Sequence, residues 1–471
     1  MINIPSNIIN GQAVKGAETP FTVIDPATGE GFAECSATSR AQLDEAVAAA
    51  TEAFKTWQHT PDAELQAILH KIADKIEANA AELAEIVVRE QGKPMALAQM
   101  EVGGAVAWTR YAAEQEIPVK VIEDSPERLV ELHRKPVGVV GSITPWNWPL
   151  MIAVWHVMPA LRTGNTVVIK PSSMTPFNTL RLVELINEVV PAGVINSMSA
   201  ERGIGSAMSG HPGINKIVFT GSTPTGQSIM RNAADNLKRL TLELGGNDAG
   251  IVLEDADLDK LAPAIFQTSF LNMGQTCAAL KRLYVHESQY DELCQRLSGI
   301  AQEQKVGGGL EEGVTFGPVQ NKDQLELVKE LVEDARNQGA NILCGGEQLP
   351  GAGYFYPPTI VAGVDNSARI VQEEQFGPVL PVVKYSDLDE AIAMANATDV
   401  GLGGSVWGSD IERARKVASQ LECGTTWINN HAEVLPHCPF GGCKMSGFGV
   451  EFGEEGLLEY TQVQLLNISR G

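Results

Sequence analysis

The 471-residue chain is 44% apolar and carries 58 acidic against 35 basic residues, a formal net charge of −23. That length suits two or three domains with large cores. So acidic a surface disfavours phosphate backbones, which excludes nucleic acid as an expected partner.

Seven cysteines, an odd number spread from Cys35 to Cys443, fit reduced cytoplasmic thiols better than a disulfide framework. The first ten residues lack the basic-then-apolar pattern of a signal peptide. The most apolar segment, 145–161, holds three prolines and His156, too broken and too short to span a bilayer. No cysteine pair has zinc-finger spacing, and no HxxxH pair occurs. A cytoplasmic protein without membrane or metal is expected.

A short strand-like stretch opens the chain. Ser39 and Gln42 then form a capping box for a helix whose apolar stripe runs Leu43, Val47, Ala50, Phe54, Trp57. Leu65, Ile68, Leu69, Ile72 and Ile76 mark a second helix. Leu83, Ile86 and Val87 mark a third, stopped near Gly92 and Pro94. Residues 118–136 alternate charged and apolar positions around Ser125-Pro126, which predicts a hairpin.

From Val139 short β-rich runs recur at Val139–Ile143, Thr166–Ile169, Val194–Ser197, Lys216–Phe219 and Arg239–Leu244. Helical patterns separate most of them, among them Pro176–Val189 after a Thr175 cap. This alternation predicts a mostly parallel sheet covered by helices. After Gly245-Gly246 a second α/β stretch has helical patterns near 257–271, 287–304, 322–337, 387–396 and 410–420. The strand-like tail 460–468 pairs with the 118–136 hairpin or with another subunit.

Five places offer chemistry. Gly221 to Gly226 follows a strand and opens a helix; glycine admits a phosphate, and Ser222 or Thr223 caps a helix whose free N–H groups attract an anion. The GxxxxG spacing alone equally fits an ordinary strand-to-helix turn. Lys170 ends a strand before Pro171, Ser172 and Ser173, where parallel sheets bind ligands, although a loop lysine also sits there. Cys277 lies in a loop of small residues, Gly274-Gln275-Thr276-Cys277, and taken alone is more often core than nucleophile. Glu243, a carboxylate in an apolar strand, is either a buried partner or a base. Asn147, framed by Trp146, Trp148 and two prolines, offers a neutral donor for a developing oxyanion, or caps a turn.

Together these segments resemble the aldehyde dehydrogenase superfamily along essentially the whole chain. The matching stretches are Pro145-Trp146-Asn147, Lys170-Pro171-Ser172, Phe219-Thr220-Gly221-Ser222-Thr223, Leu242-Glu243-Leu244-Gly245-Gly246, Gly274-Gln275-Thr276-Cys277, Glu374-Gln375-Phe376-Gly377-Pro378 and Pro439-Phe440-Gly441-Gly442. Their order and spacing match as well.

The resemblance implies an α/β fold: a Rossmann-type cofactor domain (1–117 with 137–245), an α/β catalytic domain (246–445) and a β oligomerisation arm (118–136 with 446–471). It implies a homodimer or homotetramer that oxidises a small-molecule aldehyde with NAD or NADP. Cys277 would attack the aldehyde, Asn147 would hold the oxyanion, and Glu243 would activate the hydrolytic water. Trp146, Lys170, Ser172, Ser173, Gly221, Ser222, Gly226, Leu244, Glu374 and Phe376 would surround the cofactor. Trp148, Met151, Trp155, Thr276, His431, Val434 and Phe440 would line the substrate pocket.

Two features are particular to this chain. NAD-preferring members carry a glutamate where Ser173 stands, so acceptance of NADP is expected. The pocket segments hold no Arg or Lys, which points to medium-chain aliphatic or aromatic aldehydes. Glu243 argues against a CoA-acylating enzyme, whose members commonly lack that carboxylate. The intact set of Cys277, Glu243, Asn147, Lys170 and Glu374 argues against a non-catalytic protein on the same fold.

Overall fold

The structure is a computed structural model that describes residues 4–201 and 203–471. The capping box forms as expected. Ser39 and Gln42 satisfy each other at the start of helix Arg40–Trp57, which buries Leu43, Val47, Ala50 and Trp57. Helix Ala80–Gln91 ends on left-handed Gly92 (φ 96°), as a glycine stop requires. Beyond Pro94 runs a fourth helix, Met95–Glu114, which the weak apolar stripe there did not announce.

Strands Val139–Ile143, Thr166–Lys170, Ile195–Ser197, Lys216–Thr220 and Arg239–Glu243 form a parallel sheet. Gly447–Phe448 adds an antiparallel edge beside Arg239–Glu243; this part of the expected arm lies in the first sheet instead. The strands are buried on both faces, with alternate residues serving two cores. Val140, Val167, Ile169 and Val218 meet the helices after residue 60, while Val139, Val168, Ile217 and Phe219 meet Leu43, Val47 and Ile229.

Helix Phe177–Asn187 departs from expectation at its start. Thr175 does not cap it. Instead the Glu90 carboxylate accepts the N–H groups of Phe177 (2.8 Å) and Asn178 (2.9 Å). A buried carboxylate from another helix satisfies the free donors there.

A second, seven-stranded sheet runs in the order Asn341–Cys344, Thr359–Val364, Val379–Tyr385, Leu280–His286, Asp248–Val252, Gly403–Trp407 and Thr425–Ile428. All neighbours are parallel except the first pair. Helices Leu258–Phe270, Glu287–Gln302, Lys322–Asn337, Leu388–Asn396 and Ile411–Ala418 fall where the periodicity predicts.

The tail strand Thr461–Ser469 pairs antiparallel along the whole of Arg128–Pro136, which in turn pairs with Lys120–Asp124. The tail therefore completes the hairpin of its own chain. Val121, Ile122, Val463 and Leu465 are exposed on this three-stranded sheet. Among the described residues no helix is long and apolar enough to cross a membrane.

Candidate active site

The first sheet reverses its order between Val139–Ile143 and Lys216–Thr220, the place where an open parallel sheet leaves a crevice beyond its strand ends. The loops 144–148 and 221–222 leave from those two strands, and Gly245-Gly246 follows the next one. The second sheet meets the crevice the other way round. Cys277 and Glu374 lie just before strands Leu280–His286 and Val379–Tyr385. The site is thus built between the carboxyl edge of one sheet and the amino edge of the other.

The turn leading to Cys277 holds two consecutive non-glycine residues in the left-handed region, Asn272 (φ 54°) and Met273 (φ 60°). Each costs about 1–2 kcal/mol, so the surroundings must hold them. The Asn272 side-chain amide donates to the Asn147 carbonyl at 2.9 Å, and the Trp148 indole donates to Thr276 Oγ1 at 2.9 Å. From below, Lys281 Nζ donates to the Cys277 carbonyl (2.6 Å), to the Gly246 carbonyl (3.2 Å) and to Glu374 Oε1 (2.7 Å). Burial pushes the Cys277 thiol up to about 12; Lys281 pulls it down, while Asp248 and Glu243 push it further up. Such a thiol needs a base to become a nucleophile.

Glu243 is that kind of group. It ends its strand with 4% exposure, and neither carboxylate oxygen has a hydrogen-bond partner among the described residues. Burial, and after it the charge of Glu451, raises its pKa well above the carboxylate range. Glu451 in turn lies 3.1 Å from His156, which also meets Ser142 and Thr220.

Asn147 is 3% exposed. Its carbonyl is held by Lys93 Nζ (3.1 Å) and by Asn272, while its side-chain amide bonds to no protein group among the described residues. A free amide donor, a half-buried thiol and a carboxylate of raised pKa are candidates for oxyanion donor, nucleophile and base.

Beside them a cavity of about 250 Å³ is lined by Thr223, Gly245, Gly246 and Glu374, among others. Ser222 stands at the N-cap of helix Thr223–Ala233 but caps nothing; its hydroxyl meets Thr225 Oγ1 at 2.9 Å. The N–H groups of Thr223 and Thr225 are left at this helix start, since Pro224 has none and Gly226 bonds to the Ser222 carbonyl; such a start attracts anions. At Gly245 a Cβ would sit 2.6 Å from Glu374 Oε2, so a larger residue would displace that carboxylate from this cradle. Gly226 has another use: it is buried in the helix, and its missing side chain makes room for Leu244.

Trp146 packs edge-on to Phe376 at 5.3 Å. Lys170 is buried, donates to the Pro171 carbonyl at 2.9 Å and is pushed down to about 8 by burial. Ser172 accepts from the Met174 N–H, and Ser173 is partly exposed beside it.

Trp148 and Met151 are joined by Trp155, and Trp155 contacts Trp108 (5.8 Å) and Phe452 (4.7 Å). Val434 and Phe440 pack with Cys277. His431 is 2% exposed, lies 3.5 Å from the buried Asp248 and rests on Trp427, which shares a cluster with Phe440 and Cys277.

Sequence reasoning missed Lys93, Glu101, Trp108, Lys281, Glu451 and Asp248. Only the apolar neighbours of Lys281 in the sequence carried a signal.

The aldehyde dehydrogenase family model matches residues 13–466. Human retinaldehyde dehydrogenase 3 is 39% identical over 460 residues, 96% of this chain and 90% of the relative. The NAD+ complex of an aldehyde dehydrogenase from Bacillus cereus superposes with a TM-score of 0.96 at 37% identity, covering 100% of this chain and 97% of the other. Betaine aldehyde dehydrogenase from Staphylococcus aureus, solved with NAD+, gives a TM-score of 0.95 at 34% identity, with 99% and 95% covered. A match of this extent in both sequence and fold settles the lineage: this chain belongs to the aldehyde dehydrogenase family.

Proposed function

We propose that this enzyme oxidises an aldehyde to its carboxylic acid through a thioester on Cys277, with NAD or NADP as hydride acceptor. The observation that carries the reading is Glu243: a buried carboxylate with no protein partner among the described residues, close enough to the half-buried Cys277 thiol to act on its ionisation. The Cys277 sulfur bonds to the aldehyde carbon as its proton passes to Glu243, and the Asn147 amide holds the oxyanion. When bound, the nicotinamide supplies the carbon that takes up the hydride, which leaves a thioester. Glu243 gives its first proton to solvent; a water then attacks that carbonyl while Glu243 takes the water proton, which passes to the Cys277 sulfur as it leaves and the acid is released.

The residues present fit the cofactor. The open Gly245 cradle, the free helix start at Ser222 and the carboxylate of Glu374, aligned by Lys281, support a pyrophosphate and ribose in the adjoining cavity. Lys170 and the uncharged Ser173 support acceptance of the 2′-phosphate of NADP.

The aromatic group of Trp108, Trp155 and Phe452, with Met151 beside it, supports medium-chain aliphatic or aromatic aldehydes. Exposed apolar residues on the arm support a homo-oligomer. The seven free cysteines support a cytoplasmic setting.

Cys277→Ala tests the core of the reading. Reduced-nicotinamide absorbance with an aldehyde panel should vanish in the variant, and undiminished turnover would defeat the proposal.

A further inference from the structure

Lys93 and Glu101 form an ion pair (2.5 Å) with both side chains fully buried. Lys93 stands at the bend between helices Ala80–Gln91 and Met95–Glu114, just after left-handed Gly92. A buried ion pair is poor evidence of stability, because a well-packed apolar pair of similar volume often does as well. Its contacts indicate another use.

The Lys93 ammonium donates to the Asn147 carbonyl at 3.1 Å and lies 3.7 Å over the Trp148 ring. Glu101 Oε1 accepts the N–H groups of Leu150 (3.0 Å) and Met151 (3.1 Å). It thereby satisfies the start of helix Pro149–Arg162, whose own N-cap residue, Trp148, makes no side-chain cap. One pair therefore fixes Asn147, Trp148, Leu150 and Met151 from one side. Asn272 and Thr276 hold Asn147 and Trp148 from the nucleophile side.

We infer that Lys93 and Glu101 are positioning residues that set the Asn147 amide against the Cys277 loop; the inference rests on the oxyanion role proposed for Asn147. The carbonyl of Asn147 is the fastening point, which leaves its side chain free to face the reacting oxygen. Neither charged group meets substrate. They act by keeping the donor within the narrow range where it stabilises developing charge, a range in which a shift of about 1 Å costs on the order of a hundredfold in rate.

The test is a cycle on the full-length enzyme, using hexanal or benzaldehyde, whichever turns over faster, with NAD and NADP both supplied. The single-turnover rate of hydride transfer is compared in the parent, in Lys93→Met with Glu101→Gln, in Asn147→Ala, and in all three changes together. The paired change should slow hydride transfer about tenfold or more, with Cys277 alkylation and cofactor dissociation constants changed less than about twofold. In the Asn147→Ala background the same change should cost less than about twofold, because the group it positions is gone.

Lys93→Arg keeps the charge balance but displaces the donor. It runs through the same cycle if the paired variant does not fold, and should give the same pattern. A paired or Lys93→Arg variant as fast as the parent would overturn the inference, and so would a loss of equal size in the Asn147→Ala background. Full-rate Asn147→Ala enzyme would instead defeat the oxyanion role and take this inference with it.

Discussion

Lys281 and Glu374 are joined at 2.7 Å, and the same ammonium holds the Cys277 carbonyl at 2.6 Å. One buried cation thus ties the candidate nucleophile to the carboxylate proposed to meet the cofactor. Lys281 also draws the Cys277 thiol down against the effect of burial. Lys281→Met should therefore move the pH dependence of iodoacetamide alkylation at Cys277 to higher pH, and slow it several-fold near neutrality. An unmoved alkylation profile would show that this charge does not reach the sulfur.

The acid limb of the rate profile should reflect Glu243. Its proton is held above the usual carboxylate range, by burial first and by the Glu451 charge second. The basic form is then lost as pH falls through that raised value, so activity should decline well before ordinary carboxylates titrate. Glu451→Gln removes one source of the rise and should shift the limb of log kcat/KM to lower pH. A limb that stays put or climbs would contradict the coupling.

Ser173→Glu would put a carboxylate close to Lys170, where the 2′-phosphate of NADP is proposed to bind. The ratio of kcat/KM for NADP over NAD should drop at least about tenfold. Parent enzyme that turns over NAD alone, with no measurable NADP rate, would reject the proposed acceptance of both.

Gly226→Ala tests packing rather than chemistry. The added Cβ would stand 2.6 Å and 2.8 Å from the two Leu244 methyls, an overpacking that costs about 1–3 kcal/mol. A lower Tm is expected, with partial recovery in Gly226→Ala with Leu244→Val. Equal Tm values would mean that helix Thr223–Ala233 is free to move aside.

Much of this was legible in the chain. Apolar residues at helical spacing located many helices, and β-rich runs located the parallel strands of the first sheet, since burial of one face or of both leaves those patterns; the strands of the second sheet went unread. Short motifs marked Cys277, Glu243 and Asn147. What stayed hidden depends on distant partners. Lys93 and Glu101 read as ordinary charges near a helix start, and nothing local says that both are buried under Asn147. Thr175 looked like a cap because local rules favour it, yet Glu90 supplies the acceptor from 87 positions earlier. His431 sits in the expected pocket loop beside Asp248, a proximity across two elements that spacing cannot reveal.

The central claim is the acyl bond at Cys277, which the working enzyme should carry transiently during turnover. Mixing the parent enzyme with hexanal and both cofactors, quenching rapidly in acid and mapping peptides by mass spectrometry should find a hexanoyl adduct on Cys277. Steady aldehyde oxidation with no acyl group on that residue, or with the adduct on another side chain, would contradict the account.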